Sequence, residues 1–382
     1  MRAGLLQFLI ATVALVASGC VSVPVTPDNS GTGSPAPTPA KDDCGEAPTY
    51  TKDPNWPPML PNGWSLGNIA GIAVGPDDNV WAFQRAGVNA GDGGVGGVGT
   101  GPPVIQFDPN GRVLQGWGGP GTGYDWPDTE HGIGVDGNGD VWVSGNGAAD
   151  HQLIKFAKDG KFLLQIGGKS VSEGSNDVDS VRGAADVAGD GEAIYVADGY
   201  GNKRVISFGL DGTYRAHWGA YGNVPDDDEN DPAKQFGGPV HGIALSDDGV
   251  VFVGDRELGR VHAFWENGTF IREYIVPPSP RDPGKAFDVE LVRPEEDFLV
   301  FADAWLAGGN DRVVIVCRWS GELAGEIYGA AHPTVGGPGA PLVPGQVTVL
   351  HALAADSKGN LYLADMFHGG TGGSVHKLVR GQ

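Results

Sequence analysis

An all-β chain folded as a six-bladed β-propeller is what this sequence predicts, on three observations. A unit of four short apolar strands and acidic Gly turns recurs six times in 382 residues, roughly every 40 to 65 residues. Gly is 65 and Pro 28, with no long stretch of helical periodicity, which suits many strands joined by tight turns. A histidine set just before a short apolar strand appears at His131, His241 and His351, spaced 110 residues apart.

Residues 1–20 read as an export signal. Arg2 supplies the positive end, Leu5 to Ala17 an apolar run too short to span a membrane, and Ala17-Ser18-Gly19 the small residues before Cys20. The stretch resembles a bacterial lipoprotein box, with Ala17 where Leu is usual. Cleavage is then expected to leave Cys20 as a lipidated N-terminus on the periplasmic or cell-surface side of a bacterial membrane; simple secretion is the alternative. Residues 21–44, rich in Pro, Ser, Thr and Gly, read as a flexible tether, and the propeller is expected over 45–382. A net charge of −22 argues against nucleic acid or an anionic lipid surface as partner. Membrane contact is expected through the N-terminal lipid only, and the protein is expected to be a monomer. Cys44 and Cys317 remain; export permits a disulfide between them, but nothing in the sequence places them close.

The repeat can be followed strand by strand. The first copy runs from Ile69 through Val80-Trp81-Ala82-Phe83 and Val104-Ile105-Gln106-Phe107, turns at Asp108-Pro109-Asn110-Gly111, and closes at Val113 to Trp117. The second starts at His131 and passes Val141-Trp142-Val143 and Leu153 to Phe156. The third has Ala185 to Ala188, Ile194 to Asp198 and Arg204 to Phe208. The fourth starts at His241 and includes Val251-Phe252-Val253 and Arg260 to Phe264. The fifth starts at Phe287 and passes Phe298 to Asp303. The sixth starts at His351, passes Leu361 to Asp365, and runs out after a third strand at Val375 to Leu378. Residues 45 to 60 are the expected source of its missing outer strand. No single blade buries both its faces, so the blades must stack in a ring.

Asp198, Asn202 and Arg204 form an Asp-x-x-x-Asn-x-Arg pattern that resembles the NHL repeat; blade four varies it as Asp255, Gly259 and Arg260. Arg204 and Arg260 are expected to form blade-to-blade ion pairs.

Aligning the six first strands puts Ala70, His131, Ala185, His241, Phe287 and His351 at one register position beside the central channel. Histidine occupies blades two, four and six, which lie about 120° apart in a six-fold ring. Three imidazoles converging on one axis suit Zn²⁺, and three protein ligands leave a position open for water or substrate. The plainer alternative is three water-bonded channel histidines. His151, His217, His262, His332, His368 and His376 share no such register and read as structural or surface residues. Asp226-Asp227-Asp228-Glu229 reads as a solvated loop rather than a calcium site.

The histidine motifs and the loops between them are similar to those of peptidyl-α-hydroxyglycine α-amidating lyase. The similarity covers about residues 56 to 380. Its most specific pieces are Asp198-Gly199-Tyr200-Gly201-Asn202-Lys203-Arg204, Asp255-Arg256-Glu257-Leu258-Gly259-Arg260, and Leu66 to Ala73 leading to Phe83-Gln84-Arg85. The resemblance implies cleavage of the N–C bond of a C-terminal α-hydroxyglycine, giving an amide and glyoxylate, on a small-molecule or peptide substrate. It implies His131, His241 and His351 as zinc ligands, Tyr200 as base, Arg85 beside it and Arg256 as a second site arginine. A tyrosine with a pKa of about 10 needs a cation beside it to act as a base at neutral pH. Arg85 is placed to do that or to clamp a carboxylate. The chain departs from the family in three places. Ala352 stands where an acidic residue serves a structural calcium, so Ca²⁺ would rely on groups such as the Ile133 carbonyl; Val349 replaces a methionine; and Gly201 replaces one of a pair of cysteines. Two other classes stay open: a propeller hydrolase of the lactonase type, which would bind its metal through Glu, Asn and Asp, and a non-catalytic binding propeller.

Overall fold

The computed structural model describes residues 43–56, 59–85, 100–278, 283–304, 311–328, 349–366 and 373–381. The expected signal peptide and nearly all of the expected tether lie outside these residues, as do His332 and His368. Among the described residues no helix is long and apolar enough to cross a membrane.

Six four-stranded antiparallel sheets form the six blades. Strands alternate Val, Ile and Phe with small or polar residues, and the second strand of every blade is buried throughout, because both faces of a blade are covered by its neighbours. The apolar clusters therefore lie between blades. Trp81 and Phe83 of blade one, for example, pack with Ile133, Val141 and Phe156 of blade two. The innermost strands are Asn68–Val74, Glu130–Val135, Ala184–Gly189, Val240–Leu245, Asp288–Leu291 and Leu350–Ala355.

The ring closes as the truncated sixth copy requires. Tyr50–Lys52 pairs antiparallel with Ser374–Arg380 and becomes the outer strand of blade six. Just beyond it, Trp56 is 1% exposed and wedges against Phe107 of blade one and Tyr362 of blade six, at 5.6 and 5.3 Å between ring centroids. A second clasp was not readable from sequence: Cys44 and Cys317 form a disulfide that fixes the N-terminal segment to blade five.

Arg204 and Arg260 differ from expectation. Each pairs with an acid of its own blade, Asp198 at 2.8 Å and Asp255 at 2.9 Å, rather than across blades. What they hold is the loop entering that blade. Arg204 donates to the carbonyls of Ser175 and Ser180, and Arg260 to that of Gln235. Asn202 also donates to Asp198, at 2.7 Å. The repeat signature is thus a loop anchor, with a fully buried ion pair kept viable by added hydrogen bonds.

Candidate metal centre

The histidines reach the axis because the inner strands bulge at their position. Pairing with the second strand slips between Glu130 and Ile133, between Val240 and Ile243, and between Leu350 and Ala352. An extra residue on one strand turns a side chain out of the ladder, and here it turns the imidazole inward. Gly132 and Gly242 follow the first two histidines because the next blade is close. A Cβ at Gly132 would sit 2.7 Å from the Ala185 oxygen, and one at Gly242 would sit 2.2 Å from an Asp288 oxygen.

His131, His241 and His351 are buried at 1%, 2% and 3% exposure, and one ring nitrogen of each lies within 4.8 Å of the others. Ring centroids are 4.8 to 5.0 Å apart on all three sides. Each Nδ1 meets the backbone carbonyl of the register residue in the following blade: His131 with Ala185 at 2.8 Å, His241 with Phe287 at 2.6 Å, and His351 with Ala70 at 2.7 Å. A carbonyl only accepts, so Nδ1 carries the proton and Nε2 keeps its lone pair. Burial, reinforced by nearby positive charge, holds all three imidazoles neutral: His131 and His241 well below the ordinary histidine value, and His351 down at about 3. Three neutral nitrogen donors, each oriented by a carbonyl behind it, can hold a metal ion.

Tyr200 stands over this cluster in the loop just after the second strand of blade three, which ends at Asp198. The residue is 36% exposed, but its hydroxyl reaches inward to 2.9 Å from His131 Nε2 and 3.1 Å from His241 Nε2. Arg256 Nη1 donates to the same oxygen at 3.2 Å. Arg256 lies over the Phe287 ring at 4.9 Å and is braced by Glu257, which also pairs with Lys285. Burial raises the Tyr200 pKa, while the charges of Arg256 and Arg85 pull against it. Arg85, 6% exposed, donates from Nε to the Glu130 carbonyl at 3.1 Å and from Nη2 to Asn146 Oδ1 at 3.4 Å. The six residues singled out from sequence thus converge on one end of the axis.

The sequence reading missed three polar groups. Asn146 accepts from Arg85 and its side chain also helps pull the Tyr200 pKa down; its only signal was its place just after the second strand of blade two. Asp186 and Asp288 follow the register residue in blades three and five. Their carboxylates accept from the amides of Ile243 at 3.3 Å and Leu353 at 2.6 Å, and burial raises both pKa values well above the carboxylate range. Val349 packs with Ala70 and Met366 in a small apolar wall beside the cluster.

The other described histidines lie elsewhere. His262 is fully buried against Glu273 at 3.0 Å, His151 accepts from the Ser172 amide, and His217 contacts Tyr214. The acidic run is tied internally, Asp227 to Ser175 and Glu229 to Lys234.

No family model matches the chain. It is 29% identical over 239 residues to the Xenopus laevis peptidyl-glycine alpha-amidating monooxygenase B, covering 58% of this chain and 25% of that one. It is 30% identical over 250 residues to the Drosophila melanogaster peptidyl-alpha-hydroxyglycine alpha-amidating lyase 1, covering 59% and 42%. The match thus spans about a quarter of the frog protein and under half of the fly one. Among solved structures, the RRP9 WD40 repeats superpose with a TM-score of 0.50 at 12% identity, over 85% of this chain and 97% of that one, which speaks to the propeller fold alone.

Proposed function

We propose that the protein is a zinc-dependent lyase that cleaves the N–C bond of a C-terminal α-hydroxyglycine, releasing an amide and glyoxylate. The observation that carries this reading is the Tyr200 hydroxyl, within 3.1 Å of two axial Nε2 atoms and bonded to Arg256, in a chain similar to a fly protein named as a peptidyl-alpha-hydroxyglycine alpha-amidating lyase.

The donor set fits the metal. His131, His241 and His351 present three neutral nitrogens, suited to Zn²⁺ with a position left open. Zinc, when bound, supplies a Lewis acid that acidifies the substrate hydroxyl and a positive charge that favours the Tyr200 phenolate. Tyr200 then takes the hydroxyl proton. The C–N bond breaks with its electron pair going to nitrogen, the carbinol C–O becomes the aldehyde of glyoxylate, and Tyr200 returns the proton to the departing amide nitrogen. Arg85 and Arg256 hold the substrate carboxylate and keep positive charge beside the phenol oxygen. Calcium forms no part of this reading: Ala352 brings no carboxylate, and those of Asp186 and Asp288 are engaged by backbone amides.

Export and anchoring through a lipidated Cys20 belong to the same proposal, as does a monomeric protein. Mass spectrometry of the membrane fraction is expected to find the acylated Cys20 peptide; a soluble mature chain starting elsewhere would defeat the anchor. The reaction itself is tested by glyoxylate release from acyl-α-hydroxyglycine, abolished by a chelator and restored by zinc. Zinc-loaded protein that releases no glyoxylate above the spontaneous rate would leave a metal-binding propeller of another function.

A further inference from the structure

Alternate blades divide the work around the axis. Blades two, four and six present imidazoles, and the odd blades between them contribute two consecutive residues each. The first is the register residue, whose carbonyl reaches back to the Nδ1 of the preceding blade's histidine. The second reaches forward. Asp186, beside Ala185, accepts from the Ile243 amide of blade four at 3.3 Å. Asp288, beside Phe287, accepts from the Leu353 amide of blade six at 2.6 Å and from its own neighbour Val289 at 2.8 Å.

Ile243 and Leu353 each stand two residues after a histidine, where the strand leaves its bulge. The innermost strand is the free edge of its blade, so an amide facing the axis has no ladder partner, and a buried amide left unpaired is costly. A carboxylate from the neighbouring blade supplies the acceptor and pins the strand segment that aims the histidine. Blade one breaks the pattern with Gly71. A Cβ there would sit 2.6 Å from the His131 oxygen and 3.3 Å from the Ile133 nitrogen, so no acid fits. Blade one therefore offers no carboxylate to the strand that follows His131, whereas the strands that follow His241 and His351 each receive one from the preceding blade.

We infer that Asp186 and Asp288 are positioning residues for the metal centre, fixing His241 and His351 through the amides of Ile243 and Leu353. The inference rests on the reading of the three histidines as metal ligands. Hydrogen-bonded partners behind metal ligands cost about 10- to 100-fold in affinity when removed, and a comparable loss is expected here.

The test is zinc affinity of the full propeller by chelator competition, for wild type, Asp288→Ala and Asp288→Asn, with the visible spectrum of the cobalt-loaded forms as a readout of site geometry. Asp288→Ala is expected to weaken zinc binding about 10- to 100-fold and to alter the cobalt spectrum. Asp288→Asn keeps an oxygen that accepts from Leu353, and is expected to retain near wild-type affinity. A purely structural role would lower the thermal midpoint of the metal-free variants without separating Ala from Asn in affinity. Wild-type affinity in Asp288→Ala overturns the inference, and so does an Asn variant as weak as Ala. If Asp288→Ala does not fold, the Asp186 pair of variants makes the same comparison at His241. Wild type that binds no zinc overturns the metal reading itself, a result distinct from either of these.

Discussion

Removing His351 should flatten the acid sensitivity of the metal-free protein by a predictable amount. The imidazole is 3% exposed, and its burial and the positive charges of Arg85 and Arg256 outweigh the Nδ1 bond to the Ala70 carbonyl and leave it titrating at about 3. An unfolded chain returns it to about 6.5. Because the folded value is the lower one, the unfolded state binds the extra proton; stability is full above about pH 6.5 and declines as pH falls toward about 3. At pH 5 the gap covers about 1.5 pH units at about 1.4 kcal/mol each, or about 2 kcal/mol from this residue. Asp186 and Asp288, whose pKa values are raised, act in the opposite direction but are common to wild type and variant. His351 also pushes down the pKa values of His131 and His241, so its removal flattens the profile further. The assay is guanidinium unfolding of chelator-stripped wild type and His351→Gln at pH 7 and pH 5. The difference between the two pH values should be smaller in the variant by about 2 kcal/mol or more. Parallel losses in the two proteins would refute the claim that a buried neutral imidazole sits at this place.

Tyr200→Phe should keep its zinc and lose about 10²- to 10⁴-fold in kcat, because only the hydroxyl between His131 and His241 is removed; an active Phe enzyme removes the tyrosine from the mechanism. Arg85→Ala should lower kcat if its charge supports the phenolate, or mainly raise KM if it only holds the carboxylate, and steady-state kinetics separate the two. Arg204→Ala leaves Asp198 buried without its cation and should cost about 3–5 kcal/mol in chemical unfolding; a loss below about 1 kcal/mol would show that the pair is not a loop anchor. Cys317→Ser opens the clasp to Cys44 and should cost about 2–4 kcal/mol, read by unfolding with and without reductant.

Much of this architecture was legible because a propeller writes its geometry into a repeat. Strands such as Val80–Arg85 and Val141–Gly145 carry the same apolar pattern at the same register, so the third histidine position could be inferred from the first. The missing outer strand was legible for the same reason, since the sixth copy ends one strand short and Tyr50–Lys52 fills the place. The centre's inner supports were not. Asp186 and Asp288 act on residues 57 and 65 positions away, through a contact that exists only once neighbouring blades converge on the axis. Asn146 gains its role from the approach of Arg85 and Tyr200, which no local pattern announces. Cys44 and Cys317, 273 residues apart, meet only because the N-terminal strand joins blade six and so brings residue 44 against blade five. Arg204 failed in the opposite sense: its partner Asp198 was in view six residues away, and the pair's work on the preceding loop depends on carbonyls with no sequence signature.

The central claim is that three alternate-blade histidines hold one metal, and elemental analysis of the purified propeller tests it most directly. The account predicts about one zinc per chain in wild type and loss of most of it in His131→Ala, His241→Ala and His351→Ala, each with its β circular dichroism intact because blade stacking supplies the core. Full zinc occupancy in all three variants, or none in wild type, would contradict it.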